Sequence, residues 1–447
     1  MIDTIFALAT APGRAAVAVI RISGPGTAQA LCRHIGQLPK PRRASVRQMR
    51  GRDGEVLDRG LALWFPGPAS YTGEDCAELH LHGGAAVVAG VSEALLATGL
   101  RLAAPGEFTR RAFENGKLDL DQAEAIADLI DAESRAQARQ AAEQLEGALG
   151  ARYRAWRGDL IGVLAHLEAA LDFPDEGLPA DVAARARAPL AALLCQIDAA
   201  LGDRARGRRI REGYRIAIIG APNAGKSSLL NLLAGRDAAI VAPVAGTTRD
   251  VIEIPMTFAG YRTVLADMAG VRAEAAGIEG EGVRRARSWS ASADLRLWVI
   301  DQAASEGWWR EPARLAQARD ICVINKMDLP TGADAAGARA AAAELGAQMI
   351  EVSLVVGGGI TELSTVLAAR VADDLAGTDF PAVTRARHEI HLREAQAHLR
   401  RAIQHANEAE LAAEDARLVA RALSQITGEI GTEDILERVF ASFCIGK

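Results

Sequence analysis

The run Gly220-Ala221-Pro222-Asn223-Ala224-Gly225-Lys226-Ser227 has the spacing G-x-x-x-x-G-K-[ST], between a β-type run, Arg215 to Ile219, and a helix-like stretch, Ser228 to Leu233. Glycines at this spacing let backbone N–H groups curl around phosphate oxygens. The Lys226 ammonium then neutralises the outer phosphates, and the Ser227 hydroxyl is a ligand for Mg²⁺. A ligand-free strand-to-helix turn would explain neither the Lys-Ser pair nor the motifs that follow. Those are Gly246-Thr247-Thr248-Arg249-Asp250, Asp267-Met268-Ala269-Gly270 and Asn325-Lys326-Met327-Asp328. A loop threonine, Thr247 or Thr248, completes a Mg²⁺ shell, Asp267 at a strand end holds a metal-bound water, and Gly270 offers its N–H to a terminal phosphate. Asp328 accepts two hydrogen bonds from the ring N–H and exocyclic amine of guanine, a donor pair that adenine lacks. The set predicts a domain that binds and hydrolyses GTP.

One catalytic part is missing. A Ras-like hydrolase has a water-orienting Gln just after its D-x-x-G, but Val271 and Arg272 follow Gly270. Another group between Val271 and Val283 must orient water, with Glu274, Glu279 and Glu281 as candidates. Another cation must act where an arginine finger would, and the Asn223 amide oxygen can hold a monovalent ion there. Cys444 is read as either a nucleophile or proton donor in a tail, or a small apolar anchor; both readings stand. His80 and His82 share a strand face, but with no third ligand in sight they are read as ordinary loop histidines rather than metal ligands. His391, His398 and His405 mark a helix face. Two basic stretches, Lys40 to Arg52 and Arg204 to Arg211, are candidate phosphate contacts for a nucleic acid or solvated faces and linkers, and neither has the interleaved aromatics of a stacking platform.

The elements that must position these groups follow from composition. A chain of 447 residues suggests about three domains at ~150 residues each, and 49% hydrophobic residues suffice for packed cores. Residues 1–118 mix short β-type runs (Ala16 to Ile22, Leu61 to Phe65, Ala77 to Leu81) with Gly/Pro turns, an α+β pattern. Residues 119–212 are rich in Ala, Leu, Glu, Gln and Arg at helical spacing. In residues 213–376 β-type runs alternate with helical stretches, as in a mostly parallel sheet, and residues 377–447 return to helical composition. The second helical segment can pack on the first, which makes the α/β domain an insertion. The predicted fold is thus multidomain α/β: an N-terminal α+β domain, a helical domain of two chain segments and an inserted P-loop domain. The net charge of -6 excludes a histone-like polycation, and five scattered cysteines without a C-x-x-C pair exclude a disulfide framework or thiolate zinc site. No apolar run approaches the roughly 18 residues of a spanning helix, so a cytoplasmic protein without membrane association is expected.

The chain resembles the family of tRNA modification GTPases called MnmE or TrmE. The resemblance runs through Pro12-Gly13-Arg14, Arg21-Ile22-Ser23-Gly24, Ser70-Tyr71-Thr72-Gly73-Glu74-Asp75, His82-Gly83-Gly84 and Pro105-Gly106-Glu107-Phe108-Thr109. It continues through Asn115-Gly116-Lys117-Leu118-Asp119-Leu120, the GTPase motifs and Phe443-Cys444-Ile445-Gly446-Lys447. It implies an N-terminal tetrahydrofolate-binding domain that also forms a homodimer, a two-segment helical domain and an inserted Ras-like G domain. It further implies a complex with the flavoprotein MnmG (GidA), a heterotetramer or larger, that adds an aminomethyl or carboxymethylaminomethyl group to carbon 5 of the wobble uridine of certain tRNAs. The one-carbon unit would come from 5-formyl- or methylene-tetrahydrofolate.

The same resemblance implies K⁺-dependent association of G domains as the trigger for hydrolysis. Asn223 becomes a K⁺ ligand, the loop Ala242-Pro243-Val244-Ala245-Gly246-Thr247 closes over the ion with Ala242, Val244 and Thr247 as further ligands, and Glu279 orients the water. Ala224, Gly225, Lys226, Ser227 and Ser228 contact nucleotide with Asp267, Met268, Ala269, Gly270, Asn325, Lys326 and Asp328, and Ser227 and Thr248 hold Mg²⁺. Glu78 meets the pterin, with Arg21, Lys117 and Lys447 as cationic contacts; Lys447 in that role requires the C-terminal tail to reach the N-terminal domain of its own or a partner subunit. The chain departs from the family pattern at Met268, at Ala242-Pro243-Val244 and at Ser353-Leu354-Val355. The competing expectation is a regulatory GTPase switch that binds RNA or ribosomal particles without folate chemistry.

Overall fold

The computed structural model describes residues 3–172, 185–237, 252–267, 288–304, 309–333, 335–377, 379–428, 443 and 446. The elements begin β1 (Ile5–Leu8), β2 (Ala15–Ser23), α1 (Thr27–Ile35), β3 (Ser45–Arg50), β4 (Val56–Phe65), β5 (Cys76–Gly83), α2 (Ala85–Leu96), β6 (Arg101–Leu102) and α3 (Glu107–Glu114). Then come α4 (Leu120–Ile130), α5 (Arg135–Leu145), α6 (Ala148–Asp172), α7 (Arg187–Gly202), α8 (Arg204–Glu212), β7 (Tyr214–Gly220), α9 (Lys226–Asp237), β8 (Ile252–Phe258) and β9 (Tyr261–Asp267). The remainder are β10 (Leu295–Asp301), α10 (Arg310–Ala313), β11 (Ile321–Asn325), α11 (Ala335–Glu344), β12 (Gln348–Glu351), α12 (Ile360–Leu375), α13 (Ala386–Gln404) and α14 (Ala409–Thr427). The chain divides into two compact units: residues 1–130, 144–197 and 390–447, and residues 131–143 and 198–389.

The first unit carries a six-stranded sheet in the order β3-β4-β5-β2-β1-β6, antiparallel except for the β1–β6 pair. Period-two alternation decides its faces. Ile20 and Ile22 of β2 and Ala77, Leu79 and Leu81 of β5 point into a core shared with Leu31 and Ile35 of α1 and Val91 and Leu95 of α2. Arg21 and Glu78, directly paired across the two strands, therefore share the opposite face. In the helical part of this unit α14 packs along α6 and against α4, so the two helical segments flanking the α/β region come together.

The second unit holds a sheet in the order β12-β11-β10-β7-β9-β8, parallel except for the β8–β9 hairpin. β7 is apolar from Ile216 to Ile219 because both its faces are covered there: Ile216 and Ile218 join Leu229, Leu233, Ile360 and Leu367, while Ala217 and Ile219 join Trp289, Ala338 and Ala342. Strand order reverses at β7, and in such sheets ligands bind where the strands end at that switch point. Four strands were absent from the sequence reading. β1 and β6 are short, β3 is an edge strand with polar residues, and β8 contains Pro255, tolerated because β8 is also an edge. β8 and β9 are joined through Ala259 and Gly260, both at positive φ (50° and 82°), which gives the backbone twist of a type I′ turn without the usual Asn-Gly. Among the described residues no helix is long and apolar enough to cross a membrane.

Candidate functional site

In the second unit the phosphate loop leaves the end of β7, and α9 begins at Lys226, two residues earlier than the helical pattern suggested. The α9 N-terminus thus presents the N–H groups that a phosphate needs. Lys226 is only 5% exposed; its Nζ donates to the carbonyls of Gly220 (2.9 Å) and Ala221 (2.7 Å), and burial pushes its pKa down although Asp267 opposes that. Ser227 Oγ donates to Asp267 Oδ2 at 2.5 Å, so a hydroxyl and a carboxylate from two motifs converge at one point. These are the hard oxygen donors that suit Mg²⁺. Asn223 sits exposed at φ 61°, a conformation asparagine tolerates.

The base-recognition motif is tied to this loop. Asn325 is buried; its Nδ2 donates to Ala224 O at 2.8 Å and its Oδ1 lies 3.4 Å from the Leu354 N–H. Gly225 is required here, because a Cβ at its φ of 101° would lie 2.3 Å from Asn325 Nδ2. Ser353 Oγ donates to Asp328 Oδ1 at 2.5 Å, which orients the carboxylate expected to read guanine. The structure adds Asp301, which sequence reasoning missed: its Oδ2 accepts from Lys326 Nζ at 2.6 Å while its Oδ1 accepts from the Ala303 N–H. Asp301 pairs in register with Asn325 on the adjacent strand, a position that a parallel alignment of the two strand ends would have exposed.

In the first unit a cavity of about 460 Å³ opens beside Arg21, Glu78 and Lys117. Arg21 donates to Glu78 Oε1 from Nη2 (3.0 Å) and Nε (3.2 Å), and His80 Nε2 lies 3.2 Å from Oε2. Burial pushes the Glu78 carboxyl up, but the His80 contact and the Arg21 guanidinium outweigh it and leave the pKa below its ordinary value. Arg21 also stacks 5.0 Å from the centre of the Tyr71 ring, whose hydroxyl contacts Thr109 Oγ1 at 2.8 Å. Lys117 Nζ donates to Pro68 O at 3.1 Å. The site offers a carboxylate for donors such as a pterin amine and ring N–H, and cations for an anionic end.

Some expectations change. His80 and His82 lie on β5 rather than in a loop, and His82 is taken by Asp58 at 2.8 Å. The arginines of 204–211 form α8 rather than a linker, and most are engaged in ion pairs. Arg206 pairs with Asp203, Arg209 with Asp294 at 2.6 Å and Arg204 with Glu389 at 3.1 Å. The C-terminal tail reaches the N-terminal sheet of its own chain: Phe443 packs with Leu120 and Ala123, and the Gly446 backbone comes so close to Leu8 that a Cβ would lie 2.3 Å from the Leu8 carbonyl oxygen. Ala242, Pro243, Val244, Ala245, Gly246, Thr247, Thr248, Met268, Ala269, Gly270, Glu279, Cys444 and Lys447 lie outside the described residues.

Residues 4–117 match the family description "GTP-binding protein TrmE N-terminus", and residues 120–444 match "MnmE helical domain". A protein of Phenylobacterium zucineum named tRNA modification GTPase MnmE is 58% identical over the full length of both chains. Proteins with the same name from Caulobacter vibrioides and Rhodospirillum rubrum are 54% and 49% identical, again with 100% of each chain covered.

Proposed function

The chain belongs to the MnmE family of tRNA modification GTPases, and from that premise we propose that it couples GTP hydrolysis to wobble-uridine modification with a flavoprotein partner, MnmG. The product is an aminomethyl or carboxymethylaminomethyl group at carbon 5, with its one-carbon unit drawn from a reduced folate. The observation that carries this reading is the pairing of Arg21 with Glu78 at the wall of the first unit's cavity, since a regulatory GTPase switch has no use for a carboxylate and cations placed there. Glu78 accepts from the pterin, and Arg21 and Lys117 meet the rest of the ligand, with Lys447 a further contact. The proposed domain division is 1–118 for folate binding and dimerisation, 119–212 and 377–447 for the helical domain and 213–376 for the G domain.

In the nucleotide site Lys226 exchanges its two carbonyl acceptors for phosphate oxygens, whose charge would offset the burial that pushes its pKa down. Ser227 and Asp267, joined by Thr248, would hold Mg²⁺. When bound, that ion offsets charge on the β- and γ-phosphates. Asn325 locks the phosphate loop to the base loop, and Asp328 selects guanine. Glu279 orients the attacking water, and Asn223 with the loop from Ala242 to Thr247 holds K⁺ where an arginine finger would act, with two subunits bringing their G domains together. Mass analysis of wobble uridines from cells lacking the protein tests the whole reading: loss of the carbon-5 groups is expected, and unchanged levels would defeat it.

A further inference from the structure

The cavity in the first unit has a second cation at its rim that no motif marks. Arg42 lines it together with Glu78 and Lys117. Its φ of 61° lies in the left-handed region, an unfavourable choice for a residue with a Cβ. Two contacts hold it there: its backbone N–H donates to Trp64 O on β4 at 2.8 Å, and its guanidinium donates to the carbonyl of Ala69. Lys117 is held in the same way, by the neighbouring carbonyl of Pro68. Among the described residues neither cation has a carboxylate partner, whereas the less exposed Arg21 is neutralised by Glu78. Carbonyl dipoles orient the two rim groups but leave both positive charges uncompensated. The cavity is thus lined both by a neutralised Arg-Glu pair and by two exposed cations without a carboxylate partner among the described residues.

Two fixed cations, one of them a planar fork, match the two carboxylates of a glutamyl tail. We propose that Arg42 and Lys117 form the tail-carboxylate site of this cavity, with Arg42 the residue that separates ligands carrying a charged tail from those without one. The inference rests on the folate reading above and adds to it the residue that sets this selectivity.

The test is calorimetric binding to the full-length protein of 5-formyltetrahydrofolate and of its dimethyl ester, which keeps the shape and removes both tail charges. The wild type should prefer the free acid by about 30-fold, a preference that shrinks as salt rises. Arg42→Gln should cut that preference about tenfold and leave the ester's affinity within about twofold, and Arg42→Lys should restore part of it. Arg42→Gly, which suits the backbone conformation, should fold normally and lose the preference as Arg42→Gln does. Equal weakening of acid and ester in the Gln and Gly variants would reduce Arg42 to a loop staple, and no change in either would remove it from the site; both results overturn the proposal. Wild-type protein that binds neither compound would instead sink the folate reading, and this inference with it.

Discussion

The phosphate loop and the cavity beside Glu78 are assembled by opposite means. The loop takes Ala221 through Ser227 from one continuous stretch between a strand and the helix it feeds, and secures it with one buried side chain, Asn325, from a neighbouring strand end. The cavity draws single residues from β2, β5, the loop before β3 and the turn after α3, and depends on the register Arg21↔Glu78 to bring them together. A local site is robust to distant change and tells its chemistry in eight letters. A site made by register keeps its meaning only while the sheet keeps its pairing.

The sharpest way to separate the two is Lys226→Ala. It should lower kcat/KM for GTP by about 10³-fold while folate binding persists; steady-state hydrolysis and folate titration of the same preparation measure both. Loss of folate binding as well would mean the two regions are not energetically separate. Glu279→Ala comes next, with GTP turnover down about 10²-fold and nucleotide affinity close to normal. Wild-type turnover in that variant would send the search for the water-orienting group back to Glu274 and Glu281.

Asp301→Asn should act more gently. With Lys326 released from its 2.6 Å partner, GDP affinity should fall about fivefold, and the loss should be larger for GDP than for free phosphate analogues that make no base contact. A uniform loss would make Asp301 a structural residue only. The smallest effect concerns the start of α3, next to β6. Burial would raise the Glu107 carboxyl, but hydrogen bonds from Arg101, the Ala104 N–H and Arg111 hold it at about 2 against an ordinary 4.5. A folded pKa below the unfolded one stabilises fully above about 4.5 and fades as pH falls toward about 2. Glu107→Gln should therefore lower the thermal midpoint near neutrality and converge with the wild type as pH falls toward about 2, flattening the acid side of the profile, and a wild-type profile in that variant would remove Glu107 from this role.

The same contrast explains what could be read in advance. The β7–loop–α9 unit was legible because its motif, strand and helix are contiguous, and β10 and β11 because burial on both faces gives them apolar runs, Leu297 to Ile300 and Ile321 to Ile324. Arg21 and Glu78 read as unremarkable strand residues until the family resemblance picked them out, since nothing in their spacing records that β2 pairs with β5. Arg42 and Asp301 were silent for a related reason: one acts through a left-handed backbone no local pattern announces, the other through a neighbouring strand end. The ion pairs of the α8 arginines were silent because, although Asp203 adjoins the run, folding supplies Asp294 and Glu389 from distant segments.

The packing of α14 along α6 carries a consequence for synthesis. On the ribosome, α6 emerges with its apolar stripe uncovered, and the entire inserted G-domain segment must follow before α14 arrives to cover it. During that interval the half-made helical layer is a natural client for a chaperone that shields greasy surface, and a pause or truncation within the insert leaves the nascent chain sticky rather than merely inactive.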